Sequence, residues 1–267
     1  MGFEIRPSAL MQEYESQGYV IRDVADQDAH RWIVEKSASV AANLLGDVAP
    51  IGTSDSGNYL NAVHKKVQTT SLNDFRLKVI QTLNDSPELR MAYFALARPI
   101  LEEIVGNELA MQQRVNLSIQ LPGDTSSLLA VHADTWSGDS PYEVVVWLPL
   151  VDCYRTKAMY LLPPARAADF DANFSQLAGS SSESIFSAIQ DQVNWLEIRS
   201  GQVLVFDQSL PHGNRVNEES ETRWSMNCRF KGVFTPYGDK RLGEFFEPIV
   251  LRPATRRGLT YRLPGKR

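Results

Sequence analysis

The run Leu129-Ala130-Val131-His132-Ala133-Asp134-Thr135-Trp136 constrains this chain more than any other stretch. An imidazole and a carboxylate stand two residues apart where the spacing predicts extended backbone, and in a strand the side chains at i and i+2 share a face. His132 and Asp134 then reach one point above a sheet, and a metal ion is the natural occupant of that point. Two ligands do not hold a catalytic metal, and the other histidines are His30, His64 and His212. His212 follows the apolar run Gly201 to Asp207, which predicts a buried strand ending in the turn Pro211-His212-Gly213-Asn214 at a sheet edge. His30 lies among charged neighbours in the first turns of a predicted helix and is expected at the surface. His64, just beyond a loop, is expected to be solvated.

The period of the hydrophobic pattern changes along the chain. A helix over 8–18, capped by Ser8 and stopped by Gly18, leads into a short strand over 19–24, and further helices are predicted over 26–45, 72–83 and 87–105. The Gly, Ser, Asp and Asn cluster within 47–61 predicts a loop long enough to serve as a lid. From residue 111 the period is that of strands. Val115, Leu117 and Ile119 alternate with Asn116, Ser118 and Gln120, so this strand has one apolar and one polar face; the polar face looks either into a barrel or into water. Buried strands follow over 143–152, 194–198, 202–206, 213–217 and 222–234, interrupted by an insertion over 170–194 carrying a helix at 183–192.

His132-x-Asp134, a distal His212 and Arg223 eleven positions later resemble the iron(II)/2-oxoglutarate-dependent dioxygenases, most closely the phytanoyl-CoA dioxygenase-like branch. The resemblance covers roughly residues 111–234. It implies a double-stranded β-helix, the jelly roll shared with cupins, mainly β and buttressed by α-helices from the N-terminal part. The whole chain is expected to be a single domain: 1–110 helical support and lid, 111–234 the jelly-roll core, 235–267 a C-terminal extension. His132, Asp134 and His212 would bind iron(II), leaving adjacent positions open for a chelating keto acid and then dioxygen. Arg223 would take the far carboxylate of 2-oxoglutarate through a two-pronged hydrogen bond, with Ser225, Asn116 and Gln120 also placed at the co-substrate. The keto acid would be decarboxylated to succinate and carbon dioxide while a C–H bond of a small-molecule substrate is oxidised. A looser likeness to dioxygenases of bacterial surface-carbohydrate clusters implies a sugar or sugar nucleotide.

Trp136, Tyr142 and Trp224 are candidates to wall the substrate pocket, or they belong to the core. Arg229 and Lys231 share the strand phase of Arg223 and either meet an anionic substrate or face water. Six extended residues put Arg229 about 20 Å from Arg223, out of reach of a keto acid held near His212. The family turn Pro-Gly-Ser-His is replaced here by Pro163-Pro164-Ala165-Arg166. A cupin-like metal-dependent isomerase or sugar-binding protein without oxygen chemistry is the physical competitor, and Arg223 separates the two because only a keto-acid co-substrate needs it.

Composition excludes other classes. At 267 residues with 43% hydrophobic and 22% charged, the chain can bury a large core, and the length suits one β-rich domain with helical additions, the favoured reading, or two small domains. No apolar run is long enough to span a bilayer. Met1 to Arg6 lack the basic-then-apolar order of a secretory signal, and Gly2 lacks the myristoylation pattern, so a cytoplasmic location is expected. A net charge of −5 at pH 7 disfavours nucleic-acid binding, which relies on clustered Lys and Arg; the basic stretch 252–267 is expected to be a solvated tail or a cover on the sheet. Cys153 and Cys228 make neither a disulfide framework nor a metal-binding pair and are expected as buried thiols.

Overall fold

The helix signals of the first hundred residues act where the sequence places them. Ser8 accepts the N–H of Met11 at the start of α1 (Ala9–Gln17), and Gly18 ends it in a left-handed conformation with φ of +76°, which only glycine adopts without strain. The strand β1 (Tyr19–Asp23) follows, and Asp26 then caps α2 (Gln27–Leu45) by accepting the N–H of Ala29. Next come α3 (Thr53–Asn61), α4 (Thr69–Asn84) and α5 (Glu88–Ile104). The computed structural model describes residues 7–177 and 179–265; the N-terminal stretch read for a targeting signal lies outside them.

Residues 47–61 are not the open loop expected. Most of them form α3, whose Leu60 is fully buried in the core, and the Leu60 carbonyl accepts the indole N–H of Trp224 at 2.9 Å. Burial of that side chain outweighs the poor helix propensity of the Ser, Asp and Asn around it. The Leu60 end of the segment is thereby pinned against the sheet.

The strands are β2 (Leu109–Gln112), β3 (Asn116–Gln120), β4 (Glu143–Pro149), β5 (Met159–Leu161), β6 (Asn194–Leu196), β7 (Gln202–Asp207), β8 (His212–Asn214), β9 (Arg223–Gly232) and β10 (Phe246–Val250). A large antiparallel sheet runs in the order β1-β7-β4-β9-β2-β10, with β3 also paired to β9, and a small one runs β6-β5-β8. Together they are the two sheets of a double-stranded β-helix. The tail beyond residue 235 contributes more than expected, since β10 pairs with β2. Insertion helices α6 (Pro164–Ala172) and α7 (Ser182–Ile189) and the terminal α8 (Pro253–Leu259) complete the set; Pro164 stands at the start of α6, where its missing N–H costs nothing.

Two hydrophobic cores flank the large sheet. On the outer side Trp224, Met226, Cys228 and Phe230 of β9 and Val144, Val146 and Leu148 of β4 pack with Leu72, Leu89, Phe94 and Leu101 of the helices. On the inner side Val145, Trp147, Leu204 and Phe206 meet Met159 and Leu161 of the small sheet. Both cysteines are buried and free. His30 is buried rather than at the surface: its Nε2 accepts the N–H of Gly201 at 3.1 Å, and burial lowers its pKa. The charged neighbours in sequence lie on other faces of α2, which is why a linear reading missed it. No helix among the described residues is long and apolar enough to cross a membrane.

Candidate metal centre

The run 129–136 does not form the strand that its spacing predicts. One isolated antiparallel bridge pairs it, His132 N–H donating to the His212 carbonyl at 3.0 Å and His212 N–H returning to His132 at 2.8 Å, and Asn214 holds Leu129 through its N–H and its side-chain oxygen. Asp134 then opens a 3-10 turn, with its N–H on the Gln208 carbonyl at 3.0 Å and the Trp136 N–H on Ala133. One extended residue between His132 and Asp134 is enough to keep their side chains together, so the expected convergence survives without a strand. His132 Nε2 lies 3.6 Å from Asp134 Oδ1, and ligand atoms of His132, Asp134 and His212 all lie within 4.8 Å of one another.

The protonation pattern suits ligation. Nδ1 of His132 sits 2.8 Å from the Ala130 carbonyl and Nδ1 of His212 sits 2.8 Å from the Leu210 carbonyl. Each contact fixes the proton on Nδ1 and leaves the Nε2 lone pair free for a metal. Burial, reinforced by the neighbouring His132, pulls the His212 pKa down to about 4, so this imidazole is neutral at pH 7. His30 and His64 stay apart from this cluster. His64 Nδ1 is held by the Asn61 carbonyl and the Thr222 hydroxyl, at 3.0 and 3.1 Å.

A cavity of about 220 Å³ opens beside the three ligands, and Arg223, Ser225, Asn116 and Arg229 also line it. Strand alternation puts them there: Arg223, Ser225, Asn227 and Arg229 are the inward residues of β9, and Asn116 and Ser118 those of β3, in register with Asn227 and Ser225. The polar face of β3 therefore looks inward. Gln120 is buried but directed elsewhere, its Nε2 donating to the Arg215 carbonyl at 2.8 Å. Ser118, Asn214 and Asn227 were not singled out from sequence, although Ser118 and Asn227 follow by parity from Asn116 and Arg223. Gln208, central to the arrangement below, carries no sequence signal.

Arg223 is 3% exposed and hydrogen-bonds the Ser118 hydroxyl at 2.9 Å, and no carboxylate among the described residues pairs with it. Its Nε and the Ser225 hydroxyl are buried without a partner. An uncompensated buried guanidinium is costly, and here it faces the cavity with donors to spare. These donors fit a ligand carboxylate. Arg229 is neither a surface charge nor remote from the ligands. Its Nη2 lies 2.8 Å from Asp134 Oδ2, because the turn at Asp134 brings the carboxylate over β9. Lys231 is likewise buried, over the Tyr237 ring and beside Glu143.

The aromatic candidates divide. Trp224 points to the helix side, edge-on to Phe75, out of phase with the cavity. Trp136 is partly exposed and packs on Phe170 and Phe174, while Tyr142 is exposed; neither lines the cavity.

No family model and no curated protein sequence matches the chain. Solved structures do. EctD from S. alaskensis in its apo form is 16% identical, with 92% of this chain and 85% of that one covered and a TM-score of 0.54. The chain has their fold. EctD with 2-oxoglutarate and 5-hydroxyectoine gives 18% identity, coverage of 89% and 80%, and a TM-score of 0.53. HygX from Streptomyces hygroscopicus with nickel and 2-oxoglutarate bound gives 13% identity, coverage of 88% and 90%, and a TM-score of 0.51.

Proposed function

We propose that this protein is a non-haem iron(II)/2-oxoglutarate-dependent oxygenase, with iron held by His132, Asp134 and His212. The observation that carries the reading is Arg223, a buried guanidinium without a counter-ion, lining the same cavity as the three ligands. EctD and HygX structures of the same fold hold 2-oxoglutarate. Arg223 and Ser225 would bind the far carboxylate of that co-substrate, and Asn116 would stand beside it. When bound, iron and 2-oxoglutarate together with dioxygen would supply an oxidant for C–H bonds, one oxygen atom going to the succinate formed as the keto acid loses carbon dioxide. The protein's part is to bind, orient and exclude water, and Val145, Trp147 and Phe206 supply apolar walls for that purpose.

For the substrate we infer a small polar metabolite, a sugar or sugar nucleotide, that is hydroxylated. Ser118 and Asn227 offer a hydroxyl and an amide to a polyol, and Asp134, the one carboxylate among the described residues lining the cavity, is already paired with Arg229 and so does not receive an amine. The chain works as a single domain in this reading, since β1 and β10 from its two ends are strands of the large sheet. Anaerobic addition of iron(II) and then 2-oxoglutarate tests the proposal. The expected result is a weak visible charge-transfer band, followed by slow succinate formation when oxygen is admitted. Metal binding without that band would favour the cupin-like isomerase or sugar-binding alternative.

A further inference from the structure

The two cavity arginines of β9 are in opposite states. Arg223 has no carboxylate partner among the described residues, whereas Arg229 is held at two points, by Nη2 on Asp134 Oδ2 at 2.8 Å and by Nε on Gln208 Oε1 at 2.9 Å, with the Asp139 carboxylate nearby. Gln208 is fully buried and uses all of its amide. Its Nε2 donates to Glu143 Oε2 at 2.9 Å and to the Ser140 carbonyl at 3.1 Å, while its own backbone carbonyl accepts the Asp134 N–H. One residue thus fixes the Asp134 main chain and the arginine that grips the Asp134 side chain. It also stands four positions before His212, on the segment that brings the second histidine in.

We propose that Arg229, set by Gln208, is a positioning residue that occupies Oδ2 of Asp134 and leaves only Oδ1 for a metal. This rests on the metal-site reading above. A carboxylate with both oxygens free can take two coordination positions, and a keto acid that must chelate the same ion then competes with it. Holding one oxygen in a charge-assisted hydrogen bond prevents that, and also lowers the donor strength of the other oxygen. Arg229 accordingly trades metal affinity for co-substrate access, a role different from meeting an anionic substrate.

The sign of two binding changes tests this. Arg229→Met is expected to bind cobalt(II), as a spectroscopic stand-in for iron(II), as tightly as the wild type or more tightly, because the cationic neighbour is gone and Asp134 can chelate. Its affinity for 2-oxoglutarate, read from the perturbation of the cobalt visible spectrum, is expected to fall about tenfold, or about 1.4 kcal/mol, because the freed Asp134 oxygen competes for a position that the keto acid must take. Arg229→Lys keeps the charge without the two-point hold and should fall between. In Arg229→Ala, added guanidinium chloride at low millimolar concentration should restore 2-oxoglutarate binding, which a generally loosened fold would not show. Parallel weakening of cobalt and 2-oxoglutarate, or unchanged binding of both in folded Arg229→Met, overturns the proposal. If Arg229→Met does not fold, the same two outcomes are read in Arg229→Lys. A wild type that binds cobalt but never 2-oxoglutarate instead defeats the oxygenase reading itself.

Discussion

The two faces of β9 carry opposite chemistry on one ten-residue strand. Toward the helices it presents Trp224, Met226, Cys228 and Phe230, all 1% exposed or less and packed into the larger core. Toward the small sheet it presents Arg223, Ser225, Asn227 and Arg229 around the ligands. The outer face repays its burial with apolar area removed from water. The inner face buries the Arg223 Nε and the Ser225 hydroxyl without a hydrogen-bond partner among the described residues, which stability alone does not explain. On the proposed reading stability resides on one side of the strand and ligand binding on the other, and substitutions should separate them.

The largest effect is expected at the cluster itself. His212→Ala should abolish stoichiometric iron binding while leaving circular dichroism unchanged; full metal retention would break the assignment. On the opposite face, Trp224→Ala should cost about 3–5 kcal/mol of stability, seen as a lower midpoint in denaturant, with iron and 2-oxoglutarate affinities kept wherever the protein is folded. Loss of 2-oxoglutarate binding in folded Trp224→Ala would show that the faces are not independent.

Arg223→Leu reverses that pattern. Losing a buried charge-assisted pair typically costs a few kcal/mol, so the dissociation constant of 2-oxoglutarate should rise about a hundredfold. Iron affinity should stay nearly intact, and stability without ligand should hold or increase, since an unpaired buried charge is replaced by an apolar group. A marked drop in stability without ligand would mean that the arginine is structural. Equilibrium dialysis and chemical denaturation read the two quantities.

The smallest effect tests the outer side by pH. The folded pKa of His30 is depressed below 6.5 by burial, so at lower pH the unfolded chain takes up a proton that the native state refuses. Its contribution is therefore fully present above pH 6.5 and is lost as pH falls below it, at no more than about 1.4 kcal/mol per pH unit. His30→Gln should flatten the stability profile between pH 6.5 and 5 relative to wild type while leaving 2-oxoglutarate affinity at pH 7.5 unchanged. An equally steep profile in the variant would assign the dependence to other groups.

The sequence was most legible where one residue decides one local event. Ser8, Gly18 and Asp26 start and stop helices through their own hydrogen bonds and backbone angles, and the parity of β3 and β9 sorts inward from outward residues without knowledge of partners. It was least legible where the deciding contact is remote. Leu60 turned a polar loop into a packed helix; His30 found Gly201, which lies 171 residues away; and the supposed metal strand is only a bridge to His212, because Gln208 and Ala133 take the hydrogen bonds that a strand neighbour would have received.

By itself the sequence determined the ligand types, the His-x-Asp spacing and the alternation that gives each strand a polar and an apolar side, all properties set within a few residues of backbone geometry. Whether a charge has a partner was decided only by tertiary structure. Arg223 and Arg229 are the same residue type, on the same strand and in the same phase. The fold alone brings Asp134 to one of them and leaves the other unpaired, because hydrogen bonds and ion pairs act over a few ångströms in space, whatever the separation along the chain.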